Sequence, residues 1–169
     1  MHAFIDESGR KGSFMMCAAT VTNGDVASLK SELNRIRPKG SSRIHMKNVG
    51  KDAGRIVKAV AELEAHSYLF VVKKKCATRV ARDMALTGTF TRLQELGTTR
   101  AVIESCSQDS EDRRVIRSVL GGSPTMEYIH EPAGSGNPLL WIPDVHAWAW
   151  GRGGTFKSDI SHRITVEYL

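Results

Sequence analysis

Short, continuous apolar runs alternate along the chain with longer stretches in which apolar residues recur at helical spacing. Residues 2–6 read as a short strand, stopped at Ser8-Gly9, with Arg10-Lys11-Gly12 as a turn. Residues 13–22 form a second run, apolar without a break from Phe14 to Ala19. After Asp25, a candidate N-cap, Val26, Leu29, Leu33 and Ile36 mark one face of a helix that Pro38-Lys39-Gly40 ends. A polar loop over 41–50 leads to Asp52, which is placed to cap a helix with Ile56, Val57, Val60, Ala61 and Leu63 on its apolar side. Residues 68–72 are β-branched and aromatic, the composition of a buried strand.

The second half alternates more regularly. Residues 78–96 predict a long helix, with Gly88 as its weak point and Gly97 as its stop. A strand is expected over 100–106, a charged helix over 107–120 closed by Gly121-Gly122, and a short strand over 126–130. An apolar helix over 139–150 contains Pro143, which either interrupts it or marks its first turn, residues 151–154 read as a flexible link, and 164–169 as a last strand or an ordered tail. Two adjacent early strands favour antiparallel pairing, and the later helical crossovers favour parallel pairing. The expected fold is therefore α/β: a mixed sheet flanked by helices, in one domain spanning 1–169.

Composition narrows the class. Apolar residues make up 41% and charged residues 25% of 169, which excludes a disordered chain and permits an independent core. No run approaches the roughly 20 apolar residues of a membrane span, and no charged leader precedes an apolar one. Cys17, Cys76 and Cys106 lie far apart in apolar surroundings and read as free thiols rather than a disulfide framework; a cytoplasmic location fits them. A net charge of +6 favours a polyanionic partner, nucleic acid above all, although a basic surface also serves solubility. The oligomeric state is not legible.

Three acids stand where apolar segments make them costly. Asp6 ends the first apolar run in Phe4-Ile5-Asp6-Glu7-Ser8-Gly9. Because successive strand residues face opposite ways, Asp6 and Glu7 cannot share one site on a regular strand. Spacing alone also suits a plain acidic strand end feeding a hairpin. Glu104 follows the apolar centre of its strand, with Asp109 as the alternative just beyond, while Glu111 and Asp112 suit the positive end of a helix. Asp144 lies in an otherwise apolar helix. Separated carboxylates of this kind can converge on hard Mg²⁺ or Mn²⁺ ions, which activate water for phosphodiester hydrolysis. His45, in Arg43-Ile44-His45-Met46-Lys47, is a candidate proton shuttle and Lys47 a candidate phosphate contact, with a solvated loop as the plain reading of both. Glu7 and Ser8, beside Asp6, complete the candidate substrate contacts. His130 and His146 match no zinc spacing, and Trp141 and Trp148, seven apart on one helix face, read as packing rather than a base-stacking platform.

Phe4-Ile5-Asp6-Glu7-Ser8-Gly9, the later Ile44-His45, and Pro143-Asp144-Val145-His146-Ala147-Trp148 together resemble a widespread prokaryotic family, domain-of-unknown-function family 3800. Its members open on Tyr/Phe-Ile-Asp-Glu-Ser-Gly and carry Ala-Asp-hydrophobic-hydrophobic-Ala near the end. Here the first segment matches fully, and Pro143 replaces the alanine of the second. The resemblance implies a ribonuclease H-like fold and a metal-dependent nuclease, with Asp6 on a central strand, Glu104 on the strand beside it and Asp144 on a helix crossing that face. In that reading Asp6, Glu104 and Asp144 are the metal ligands and, with His45, the catalytic set; Asp109 is the reserve for Glu104. The alternative is a catalytically inactive ribonuclease H-like module that binds nucleic acid or protein through its basic surface.

Overall fold

The computed structural model describes residues 1–10, 12–73, 77–122, 124–132 and 136–169. Lys11, in the middle of the expected first turn, falls outside that set, as do Lys74, Lys75 and Cys76. Strands β1 (His2–Arg10), β2 (Ser13–Val21), β3 (His66–Lys73), β4 (Arg100–Glu104), β5 (Glu127–Glu131) and β6 (Ile164–Tyr168) form one sheet in the order β5-β4-β1-β2-β3-β6. The β1–β2 and β2–β3 pairs are antiparallel. The β1–β4, β4–β5 and β3–β6 pairs are parallel. The expected mixed sheet is thus present, and its antiparallel part is the early one.

Helices cover both faces. On one side α1 (Val26–Ile36), α2 (Ala53–Ala61), α5 (Trp141–Arg152) and α6 (Gly154–Ile160) pack over Phe4, Cys17, Leu69 and Val102. On the other, α3 (Thr78–Glu95) and α4 (Asp109–Leu120) pack over Ile5, Met16, Phe70 and Ile103. Alternation along each strand deals its residues to the two cores. Each buried large side chain contributes roughly 1.5–3 kcal/mol by leaving water, and Phe70, Phe90, Leu69 and Ile56 are fully enclosed. Gly88 lets α3 lie close on the sheet, since a Cβ there would stand 3.0 Å from Phe70 Cδ1. Gly97 and Gly121 follow α3 and α4 at φ of +67° and +73°, a backbone that favours glycine and that explains both stops.

Two expectations change and two alternatives are decided. Strand β1 does not stop at Ser8-Gly9; it pairs with β2 out to Arg10, because the apolar β2 run extends the ladder past residues that locally favour a turn. Of the two readings of Pro143 the first-turn one holds: it is the third residue of α5, where no helical carbonyl needs its missing N–H. The 151–154 link is only a hinge at Gly153 (φ +76°), after which α6 begins at Gly154. The last segment is a strand, β6, at the sheet edge. Among the described residues no helix is long and apolar enough to cross a membrane.

Candidate metal centre

Strand parity decides which acids meet. Phe4 faces the α5 side, so Asp6 does too. Phe4 lies beside Val102 in the parallel β1–β4 ladder, and Glu104, two residues on, faces the same way. From above, α5 brings Asp144 in its first turn. The three carboxylates line one small cavity, about 10 Å³, together with Arg43, His45, Asn137 and Trp141. Such a space holds about one water-sized particle.

The electrostatics of this cavity are unfavourable to bare acids. Burial, then the charges of Glu104 and Asp144, push the Asp6 carboxyl up to about 8, against partial relief from Arg43 and Lys47. Burial also raises Glu104 above the ordinary range, with Arg43 opposing and Asp144 adding to the shift. Asp144 is raised by burial although the Met46 N–H, His45 and Arg43 all favour its charged form. The Met46 amide donates to Asp144 Oδ2 at 2.9 Å, and His45 Nδ1 lies 3.5 Å from the same oxygen. Asp6 Oδ1 accepts from the Glu7 amide at 2.7 Å. An all-oxygen donor set whose carboxyls are all raised by burial is of the kind that suits a hard divalent ion.

The basic loop is built against this cavity. Ile44 and Met46 are buried while Arg43 and His45 are half-buried and Lys47 is exposed, so alternate residues plug the core and line the opening. Ser8 shares the Asp6 face of β1 by parity. Glu7 does not join the site. It points to the opposite face and pairs with Arg82 of α3, whose other nitrogens hold the fully buried Asp112. Asp109, the reserve for Glu104, is also elsewhere. Burial acts to raise it, but the Cys106 amide and the Ser105 hydroxyl win and hold it below the ordinary carboxylate range at the start of α4.

Among the described residues, the group whose ligand atoms all lie within 4.8 Å of one another is Cys106, Asp109 and Asp112, on the α3–α4 side. That group already has its cations: Arg82 bonds both oxygens of Asp112 and reaches Cys106 Sγ at 3.2 Å, and Arg79 bonds Asp112 at 3.2 Å. Two guanidiniums in contact oppose a metal ion there.

The remaining candidates are packing residues. His146 is fully buried, bonds Ser67 Oγ through Nδ1 at 2.7 Å, and is pushed down to about 3, first by burial and then by the nearby His66 and Arg163 side chains. Behind Asp6, burial pushes the Cys17 thiol up to about 12, leaving it inert. Cys106, expected inside a strand, lies beyond the end of β4 and is half-buried. Trp141 is buried in the core, and Trp148 packs edge-on against Phe156 at 5.0 Å. Arg43 and Asn137 also line the cavity, although neither is a site candidate by sequence pattern. Asn137 precedes a proline-led 3-10 turn that it caps through Leu139 N, and an asparagine before a proline is the one local signal for it.

No family model matches the chain, and no curated protein matches it. Among solved structures it is similar to a single-residue mutant of Bst-RNase HIII, with a TM-score of 0.53 and 10% identity over 94% of this chain. The chain spans 59% of that protein's length. The fold is ribonuclease H-like, a six-stranded mixed sheet between helical layers. At this identity the likeness concerns the fold, and the resemblance to family 3800 rests on the motifs that carry it.

Proposed function

We propose that the protein is a divalent-metal-dependent nuclease that hydrolyses phosphodiester bonds of DNA or RNA. Asp6, Glu104 and Asp144 would hold Mg²⁺ or Mn²⁺. The observation that supports this reading is the convergence of three carboxylates, from β1, β4 and α5, on one cavity in a ribonuclease H-like sheet. When bound, such an ion lowers the pKa of a coordinated water and neutralises charge that develops on the phosphate oxygens.

The chain's own groups supply the rest. Arg43, beside all three acids, is placed to hold a phosphate oxygen through its planar fork. His45, half-exposed and beside Asp144, is placed to pass a proton to the departing oxygen. Lys47 leaves the same loop toward solvent and Ser8 lies on the Asp6 face; both are substrate contacts in this reading. Glu7 is not, because it is engaged by Arg82. Purified protein should cut single- or double-stranded DNA or RNA in Mn²⁺ and not in EDTA. Asp6→Ala should abolish cutting, and equal cutting by that variant would refute the assignment.

A further inference from the structure

A second concavity opens next to the acids. Arg43 and His45 line both, so the two adjoin. This groove, about 510 Å³, runs along the loop between α1 and α2 and is far larger than the cavity that holds the carboxylates. Lys39, Ser41, Ser42, Asn48 and one acid, Asp52, extend its polar lining beyond Arg43 and His45, and its apolar side chains are Pro38 and Val49. Among the described residues it presents no Phe, Tyr or Trp ring on which a base could stack.

Charge and anchoring both point outward from the acids. Residues 37–52 carry Arg37, Lys39, Arg43, Lys47 and Lys51 against one acid, Asp52. That acid lies 3.7 Å from Arg55 Nε and so is partly neutralised. The loop is held in shape: Arg37 Nη1 donates to Ser41 O at 2.8 Å, Asn48 N donates to His45 O at 2.8 Å, and Met46 N donates to Asp144. Donors on a fixed loop, a net positive charge and the absence of a Phe, Tyr or Trp ring suit a sugar–phosphate chain better than a splayed base.

We propose that this groove binds the sugar–phosphate backbone flanking the scissile bond and takes it without regard to base sequence. The inference rests on the nuclease reading above. Cleavage would then be directed by backbone geometry and by proximity to Asp6, with Lys39 as a phosphate contact outside the catalytic set.

The test is binding, measured by fluorescence anisotropy in EDTA on an Asp6→Asn background, so that neither metal nor cleavage enters. Labelled oligothymidylate and its base-free counterpart should bind within a few-fold of each other. Lys39→Glu should weaken both tenfold or more and flatten the plot of log affinity against log salt by ~0.7 for each phosphate no longer neutralised. Lys30→Glu, an equal charge change on exposed α1, should cost less than twofold. An oligouridylate arm identifies the backbone, the tighter binder being the substrate strand. Equal losses at Lys39 and Lys30, no loss at Lys39, or a base-free probe bound tenfold more weakly would each overturn the proposal. A protein that cuts in Mn²⁺ but binds independently of Lys39 defeats the groove alone. One that binds through Lys39 and never cuts defeats the nuclease reading alone.

Discussion

Replacing Asp6 with asparagine should make the metal-free protein more stable at neutral pH, even though it removes the central acid of the site. In the folded chain the Asp6 carboxyl is raised to about 8 from an ordinary 3.8, first by burial and then by Glu104 and Asp144. A folded-state pKa above the unfolded one means that the folded protein binds the proton more tightly. The stability Asp6 contributes is therefore fully present below pH 3.8 and is lost as pH rises through about 8. At ~1.4 kcal/mol per pH unit, the loss accumulated by pH 7 is ~4 kcal/mol. The asparagine would not titrate, and its amide oxygen can still accept from the Glu7 N–H. The difference between variant and wild type should thus be near zero at about pH 4, rise to at most ~4 kcal/mol at about pH 7, and level off above about pH 8. For a chain of this length that is on the order of 10 °C in Tm. Thermal and guanidinium unfolding in EDTA across this range would measure it. Saturating Mn²⁺ should narrow the gap by stabilising wild type alone, by ~2.7 kcal/mol at about a hundredfold excess over Kd. A variant no more stable than wild type at neutral pH in EDTA would refute the claim that these carboxylates crowd one another.

Two further expectations concern the rest of the molecule. Arg82→Ala should cost about 3–5 kcal/mol in denaturant unfolding, because Asp112 is fully buried and would lose the guanidinium that contacts both its oxygens; a cost below about 1 kcal/mol would contradict the buried-pair reading. His146 is held neutral in the folded state, at about 3 against an ordinary 6.5, so its contribution is present above pH 6.5 and is lost as pH falls toward 3. His146→Leu should therefore flatten the acid limb of the stability curve between those values, and an unchanged limb would show that His146 does not titrate on unfolding.

Legibility in the sequence followed the physics of each position. Asp6 and Glu104 could be read because a charge directly after an apolar strand centre is costly, and strand parity then separates Asp6 from Glu7. Glu104 proved to be the acid in the cavity and Asp109 a helix-start acid, a choice that needs only the position of each relative to the end of β4. Other features depend on partners remote in sequence. Arg82 is buried against Asp112, thirty residues on. The continuation of β1 through Ser8 and Gly9 is imposed by β2 against local preference, and α6 is short, opens on a glycine and carries only Phe156 and Ile160 as large apolar residues.

The divergence of Asp6 and Glu7 has a consequence for how β1 finds its place. Ala3, Phe4 and Ile5 are all buried, and the facing β2 is apolar on both sides, so no in-and-out apolar rhythm distinguishes one strand alignment from its neighbour. Sliding β1 by one residue would exchange one greasy side chain for another at little cost. It would also swing Glu7 into the crowd of Glu104 and Asp144 and take its carboxylate away from Arg82. The Glu7–Arg82 pair thus acts as a stop on one face, since a slide that carries Glu7 off it takes that carboxylate away from the guanidinium.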